Sequence, residues 1–145
     1  MWLGTMVVVA TWLGAQPPDA AARELARQAG TWRVVSFERE GTITPAEVTR
    51  SIVRVVEGDH VVWKRDGKSF AGTTIVLDPS KRPAAIDVIP DGGRSRGERV
   101  LGIYTFEGDE LVICMADAGK PRPERFASPS GGKLTLMRFQ KAAGN

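Results

Sequence analysis

IVRVVEGDHVVWKRDGKSFAGTTIVL, residues 52–77, is the stretch whose reading decides the fold. It holds three runs rich in β-branched residues, 52–57, 60–65 and 69–77, separated only by Glu57-Gly58-Asp59 and Asp66-Gly67-Lys68. Gly-Asp and Asp-Gly between apolar runs are hairpin signals, and connections this short join only antiparallel neighbours. Working outward, five more runs of the same kind lie at 31–39, 85–89, 99–106, 110–116 and 133–140, with Glu107-Gly108-Asp109 repeating the turn chemistry. No long helical pattern separates them, so a parallel sheet with crossover helices is excluded in favour of a meander. Eight short strands remove their edges by closing on themselves, leaving an interior wide enough for side chains or one small ligand. The sequence therefore predicts an all-β chain: a single eight-stranded antiparallel meander barrel over 30–141, with a two-sheet β-sandwich as the alternative.

Two helical pieces frame the strands. Residues 16–29 read as a short helical lead-in, with Pro18 and Asp19 at its start, an Ala-rich body and Gly30 ending it; PAEVTR, 45–50, suggests one more helical turn. Before them, MWLGTMVVVATWLGA, 1–15, carries no Asp, Glu, Lys or Arg. That run is short for a membrane-spanning helix and reads as a secretory signal peptide cleaved after Ala15. It implies a secreted, periplasmic or cell-envelope address with no stable membrane span after processing. A buried N-terminal strand is the alternative.

Composition narrows the function classes. The 145 residues are 42% hydrophobic and 26% charged, ordinary for one folded domain. Twenty basic against seventeen acidic residues leave a net charge of +3, far from the one-signed field of a nucleic-acid binder, so no nucleic-acid partner is expected. Cys114 is the only cysteine and His60 the only histidine. No internal disulfide is possible, zinc sites lose their usual ligands, and no cofactor or metal is expected.

Gly30-Thr31-Trp32, opening the first strand, resembles the GxW signature of lipocalin-type barrels, and Arg138 on the last strand stands where such barrels place an arginine across the indole. The resemblance implies that Trp32 plugs one end of the barrel with Arg138 stacked on it; an ordinary core tryptophan and a surface arginine are the alternative. A wider set of strings resembles an uncharacterised bacterial family known mainly as a planctomycete domain. It comprises Gly30 to Ser36 (GTWRVVS), Glu57-Gly58-Asp59, Leu77 to Asp87 (LDPSKRPAAID), Leu101-Gly102-Ile103-Tyr104 with Gly108-Asp109 and Ile113-Cys114, and Gly119 to Pro123 (GKPRP). This resemblance implies a small exported all-β domain and carries no activity, substrate or catalytic residue.

With Trp32 inward, alternation places Val34, Ser36 and Glu38 on the core face and Arg33, Phe37 and Arg39 outside. The other inward sets are Val53 and Val55, Val61 and Trp63, Ile86 and Val88, Leu111 with Ile113 and Met115, and Leu134 with Leu136. Tyr104 and Phe106 join them. A cavity lined by Trp63, Tyr104, Phe106 and Met115 would hold a small apolar ligand with Tyr104 as its polar handle; a barrel packed solid by the same residues is the alternative. Lys81 and Arg82 (78–83, DPSKRP) and Lys120 and Arg122 (120–125, KPRPER), together with Arg94, Arg96 and Arg99, would form an anion site if their loops converge, and separately solvated loops if not. GGRSRG, 92–97, lacks the GK[ST] ending of a phosphate loop. Cys114 has no neighbouring base, His60 is a hairpin residue, and Asp109 and Glu110 point to opposite faces of a strand.

No catalytic set stands out. The leading reading is a non-enzymatic exported binding module, taking a small ligand in the barrel or an envelope protein or polymer at its loop end. A filled interaction barrel with an apolar patch at Phe37 or Phe139, and an enzyme, are the alternatives. If the leader is real, N-terminal sequencing of the protein recovered from outside an exporting cell begins near Gln16; an intact Met1 on soluble cytoplasmic protein overturns export.

Overall fold

A computed structural model describes residues 19–143. The proposed leader, 1–15, and its cleavage site lie outside the described residues. The chain runs α1 (Ala20–Gln28), β1 (Gly30–Arg39), β2 (Thr42–Ile43), α2 (Ala46–Thr49), β3 (Ile52–Glu57), β4 (His60–Arg65), β5 (Lys68–Asp78), β6 (Ala84–Pro90), β7 (Val100–Glu107), β8 (Glu110–Ala116) and β9 (Leu134–Lys141). The eight expected strands are present with ends shifted by no more than one residue, and two-residue β2 is an additional piece on the edge of β1.

Sequential strands pair antiparallel from β3 to β9, β1 pairs β3, and β9 returns to β1 from Trp32↔Lys141 to Arg39↔Thr135. That last pairing closes the barrel and decides against a sandwich. The turns act as their composition requires. Gly58, at φ +60°, takes the first central position between Glu57 and His60, the place a type II′ turn reserves for glycine.

Two bulges set which side chains face in. Val34 pairs Phe139 and Ser36 pairs Arg138, so Val35 is an extra residue on β1. The extra residue reverses the alternation: Trp32 and Val34 face in, then Phe37, opposite Met137. The expected outward Phe37 and inward Ser36 and Glu38 are thus corrected. On β5 a second irregularity falls between Trp63↔Ala71 and Lys64↔Ser69, leaving Phe70 unpaired. Two further inward sets are corrected. On β3 it is Ile52, Arg54 and Val56 that face the core, not Val53 and Val55; on β9 it is Met137 and Phe139, not Leu134 and Leu136. Phe139 is therefore fully buried and offers no surface patch.

One end is covered by α1. Asp19 caps the helix by accepting from Ala21 N, Leu25 packs on the core, and Arg27 lies 4.0 Å from the centre of the Phe106 ring. Trp32 Nε1 donates to Gln28 O at 2.8 Å, tying the helix end to the barrel. The segment 117–133 covers part of the outer wall, so Val112, Cys114 and Ala116 on the outer face of β8 are buried as well. No helix among the described residues is long and apolar enough to cross a membrane.

Gly102 marks the tightest approach in the wall. A Cβ there would fall 2.2 Å from Met115 Sδ and 2.7 Å from Cys114 O. The thioether can swing away, but the backbone carbonyl cannot. Gly102→Ala is expected to cost about 1–3 kcal/mol, as overpacking does. Urea unfolding checks it, and an unchanged midpoint would mean that β7 and β8 separate freely at this point.

Candidate functional site

The end of the barrel opposite α1 is open. A hollow of about 410 Å³ there is lined by Val34, Phe37, Val48, Ile52, Trp63, Phe70, Ala71 and Met137, among others. Its rim carries apolar side chains in water: Phe70 is 55% and Val48 43% exposed. Each has a local cause. Phe70 is the unpaired residue of the β5 bulge, and Val48 sits on α2, which packs beside β1. Below the hollow lies an inner cavity of about 220 Å³, lined by Arg54, Trp63, Thr73, Ile75, Ile86, Val88, Val100, Ile113, Met115 and Met137 with Pro90. Trp63 and Met137 line both spaces and stand between them.

The inner cavity is apolar except at Arg54 and Thr73. Arg54 is only 2% exposed. Its Nη2 donates to Gln28 Oε1 at 3.0 Å, and its guanidinium carbon lies 5.6 Å from the centre of the Phe139 ring. Among the described residues, no Asp or Glu forms an ion pair with it, and Nη1 is buried with no hydrogen-bond partner. Burial pushes the Arg54 guanidinium down to about 9, which leaves it protonated at neutral pH. Gln28 Nε2, at the other end of the same contact, is also buried and unpaired.

The four residues expected to line one cavity fall at two places. Trp63 and Met115 line the inner cavity. Tyr104 and Phe106 lie beneath α1, where they face a shallow hollow shared with Glu24, Arg27, Arg82 and Phe126. Phe106 stacks edge-on to Tyr104 at 6.2 Å and tilted to Trp32 at 6.4 Å. Burial, with Glu24 nearby, pushes the Tyr104 phenol above its usual range, and its place beneath α1 separates it from the cavity beside Trp63.

The plug also differs in its partner. Trp32 is buried as expected, but the cation over its indole is Lys141, with Nζ 5.4 Å from the ring centre. Arg138 sits on the outer surface, 2.9 Å from Glu107 Oε2 and 3.5 Å from Glu110 Oε2. The Val35 bulge puts Arg138 opposite Ser36, four residues along β1 from Trp32.

Nor do the basic loops form one site. Lys81 and Arg82 follow β5 at the α1 end, whereas Lys120 follows Asp117 beyond β8 at the other end. Arg122 is engaged with the outer wall: Nη2 stands 2.7 Å from Asp87 Oδ1, and Nη1 donates to Gly102 O at 2.8 Å. Arg99 holds the other oxygen of Asp87 at 2.9 Å. His60 is exposed, 3.8 Å from Asp91. Burial pushes the Cys114 thiol up, and its Sγ lies 3.3 Å from Ala127 O, consistent with an inert side chain.

Sequence reasoning missed Phe37, Met137 and Arg54. The signal for Arg54 was present. A two-residue turn between Glu57 and His60 pairs Arg54 with Trp63, and cross-strand partners share a face. No family model, curated protein or solved structure matches this chain.

A buried charge without a counter-ion destabilises the fold that contains it. Arg54→Met, which replaces the guanidinium by a shorter unbranched apolar side chain, is therefore expected to leave the urea midpoint unchanged or raise it. A loss of more than about 1 kcal/mol would show instead that the contact with Gln28 holds the barrel to α1.

Proposed function

We propose that the protein is a non-enzymatic, lipocalin-like binding module that takes a small, largely apolar ligand through its open end into the barrel. One observation carries the reading: an apolar hollow with an exposed rim stands directly above an inner cavity, with Trp63 and Met137 shared between the two. Phe70 and Val48, both exposed, line this opening, and exposed apolar groups at a concave opening mark a place where something apolar is received. The uncharged apolar run at 1–15 supports an exported protein of a bacterial envelope or extracellular space, and the strings that resemble the planctomycete domain family agree with that address. Catalysis finds little support, since Cys114 is buried with its thiol pushed up and His60 is not among the residues that line either space.

Titration with N-phenyl-1-naphthylamine, a neutral dye that brightens in apolar surroundings, tests the proposal. A single saturable site on the order of micromolar is expected for a ligand of that size. Ala71→Trp, which fills the hollow from an exposed strand position, weakens it at least tenfold with the fold intact by circular dichroism. No saturable binding to the unaltered protein, or equal binding to the variant, overturns the reading.

A further inference from the structure

The inner cavity contains a charge that nothing in the barrel answers. Arg54 lies at the middle of β3, flanked across the sheet by Trp32 and Trp63, and is one of the cavity's lining residues. A guanidinium withdrawn from water normally has a carboxylate opposite it, because burial of an isolated charge is among the most expensive events in folding. Here the charge meets one neutral amide oxygen and one aromatic face, with Nη1 left over. Val or Leu at this position would fit the alternation of β3 with no such cost. An unpartnered buried donor on a residue that lines a space large enough for a ligand gives an incoming acceptor a place to bind.

We propose that the barrel's ligand is a small amphipathic monocarboxylate whose carboxylate seats on Arg54 and whose apolar body extends past Trp63 toward the open end. This rests on the ligand-binding reading above. The chemistry of the cavity selects the class. One free guanidinium nitrogen and the Thr73 hydroxyl answer a single negative charge, whereas a phosphate dianion calls for more donors than these walls supply. At roughly 30 Å³ per heavy atom, the volume that water occupies, 220 Å³ takes about seven atoms: the carboxylate and the first few carbons. The remainder of a medium-length chain then lies against Phe37, Ile52 and Phe70 in the hollow above.

The test compares octanoate, 1-octanol and octylamine, which share a tail and differ in head charge, as competitors for the bound neutral dye on the full chain at pH 7. Octanoate is expected to bind at least tenfold tighter than octanol, and octylamine at least tenfold weaker. In Arg54→Met the dye still binds and octanoate loses its advantage; Arg54→Gln serves equally if the methionine variant fails to fold. The order measured on the unaltered protein tests the charge of the head, and loss of that order in the Arg54 variant assigns it to Arg54 rather than to Arg65, which lines the hollow; an order unchanged in the variant overturns the assignment. If the dye binds and the three heads compete equally, the carboxylate is refuted while the ligand cavity stands. If neither the dye nor any of the three binds, the cavity reading falls and the carboxylate with it.

Discussion

The return of β9 onto β1 is the constraint on which the rest of this molecule depends. Without it the meander is an open sheet with two free edges and a single face to bury. With it, one set of side chains from every strand is committed to a common interior. The closure is not uniform along its length. Below Val35 it brings Trp32 and Val34 inward beside Phe139, and above Val35 it brings Phe37 inward beside Met137. One extra residue therefore lets the same strand supply the indole of the closed end and the phenyl ring of the open one.

That shift explains which parts of the fold the sequence reveals. Strand positions are legible because Gly58-Asp59, Asp66-Gly67 and Gly108-Asp109 fix the hairpins locally, and no distant residue has to be consulted. Facing is less legible. Simple alternation carried from Trp32 assigns Phe37 to the outside, because a bulge leaves no mark in β-branched composition; it is a property of the pairing with β9, a hundred residues away. The same distance separates Trp32 from its cation: the resemblance to lipocalin-type barrels points to Arg138, and only the pairing of β1 with β9 brings Lys141 to the indole instead.

Arg54 failed for a different reason. Hydropathy places Val53 and Val55 inside in preference to an arginine, and for most strands that preference is sound. Local pairing argued the other way, since Val56 opposite Val61 and Arg54 opposite Trp63 follow from the short turn alone. Where a hydropathy rule and a register rule disagree within one hairpin, the residue on which they disagree is a candidate for function, because the fold accepts it at a cost to stability.

The two ends of the barrel now differ in kind. At the closed end the large rings pack on partners within the chain: Trp32 with Gln28 O and Lys141, Phe106 with Arg27 and Tyr104. At the open end, Phe70 and Val48 face water, and below them the cavity contains an unanswered donor. A barrel evolved only to be filled has no use for this asymmetry, since Leu or Val at position 54 and a polar residue at position 70 would each make it more stable or more soluble. Phe70 lines the hollow and Arg54 the inner cavity, with Trp63 common to both, and the proposed ligand, with an apolar tail and an acidic head, would account for both departures at once.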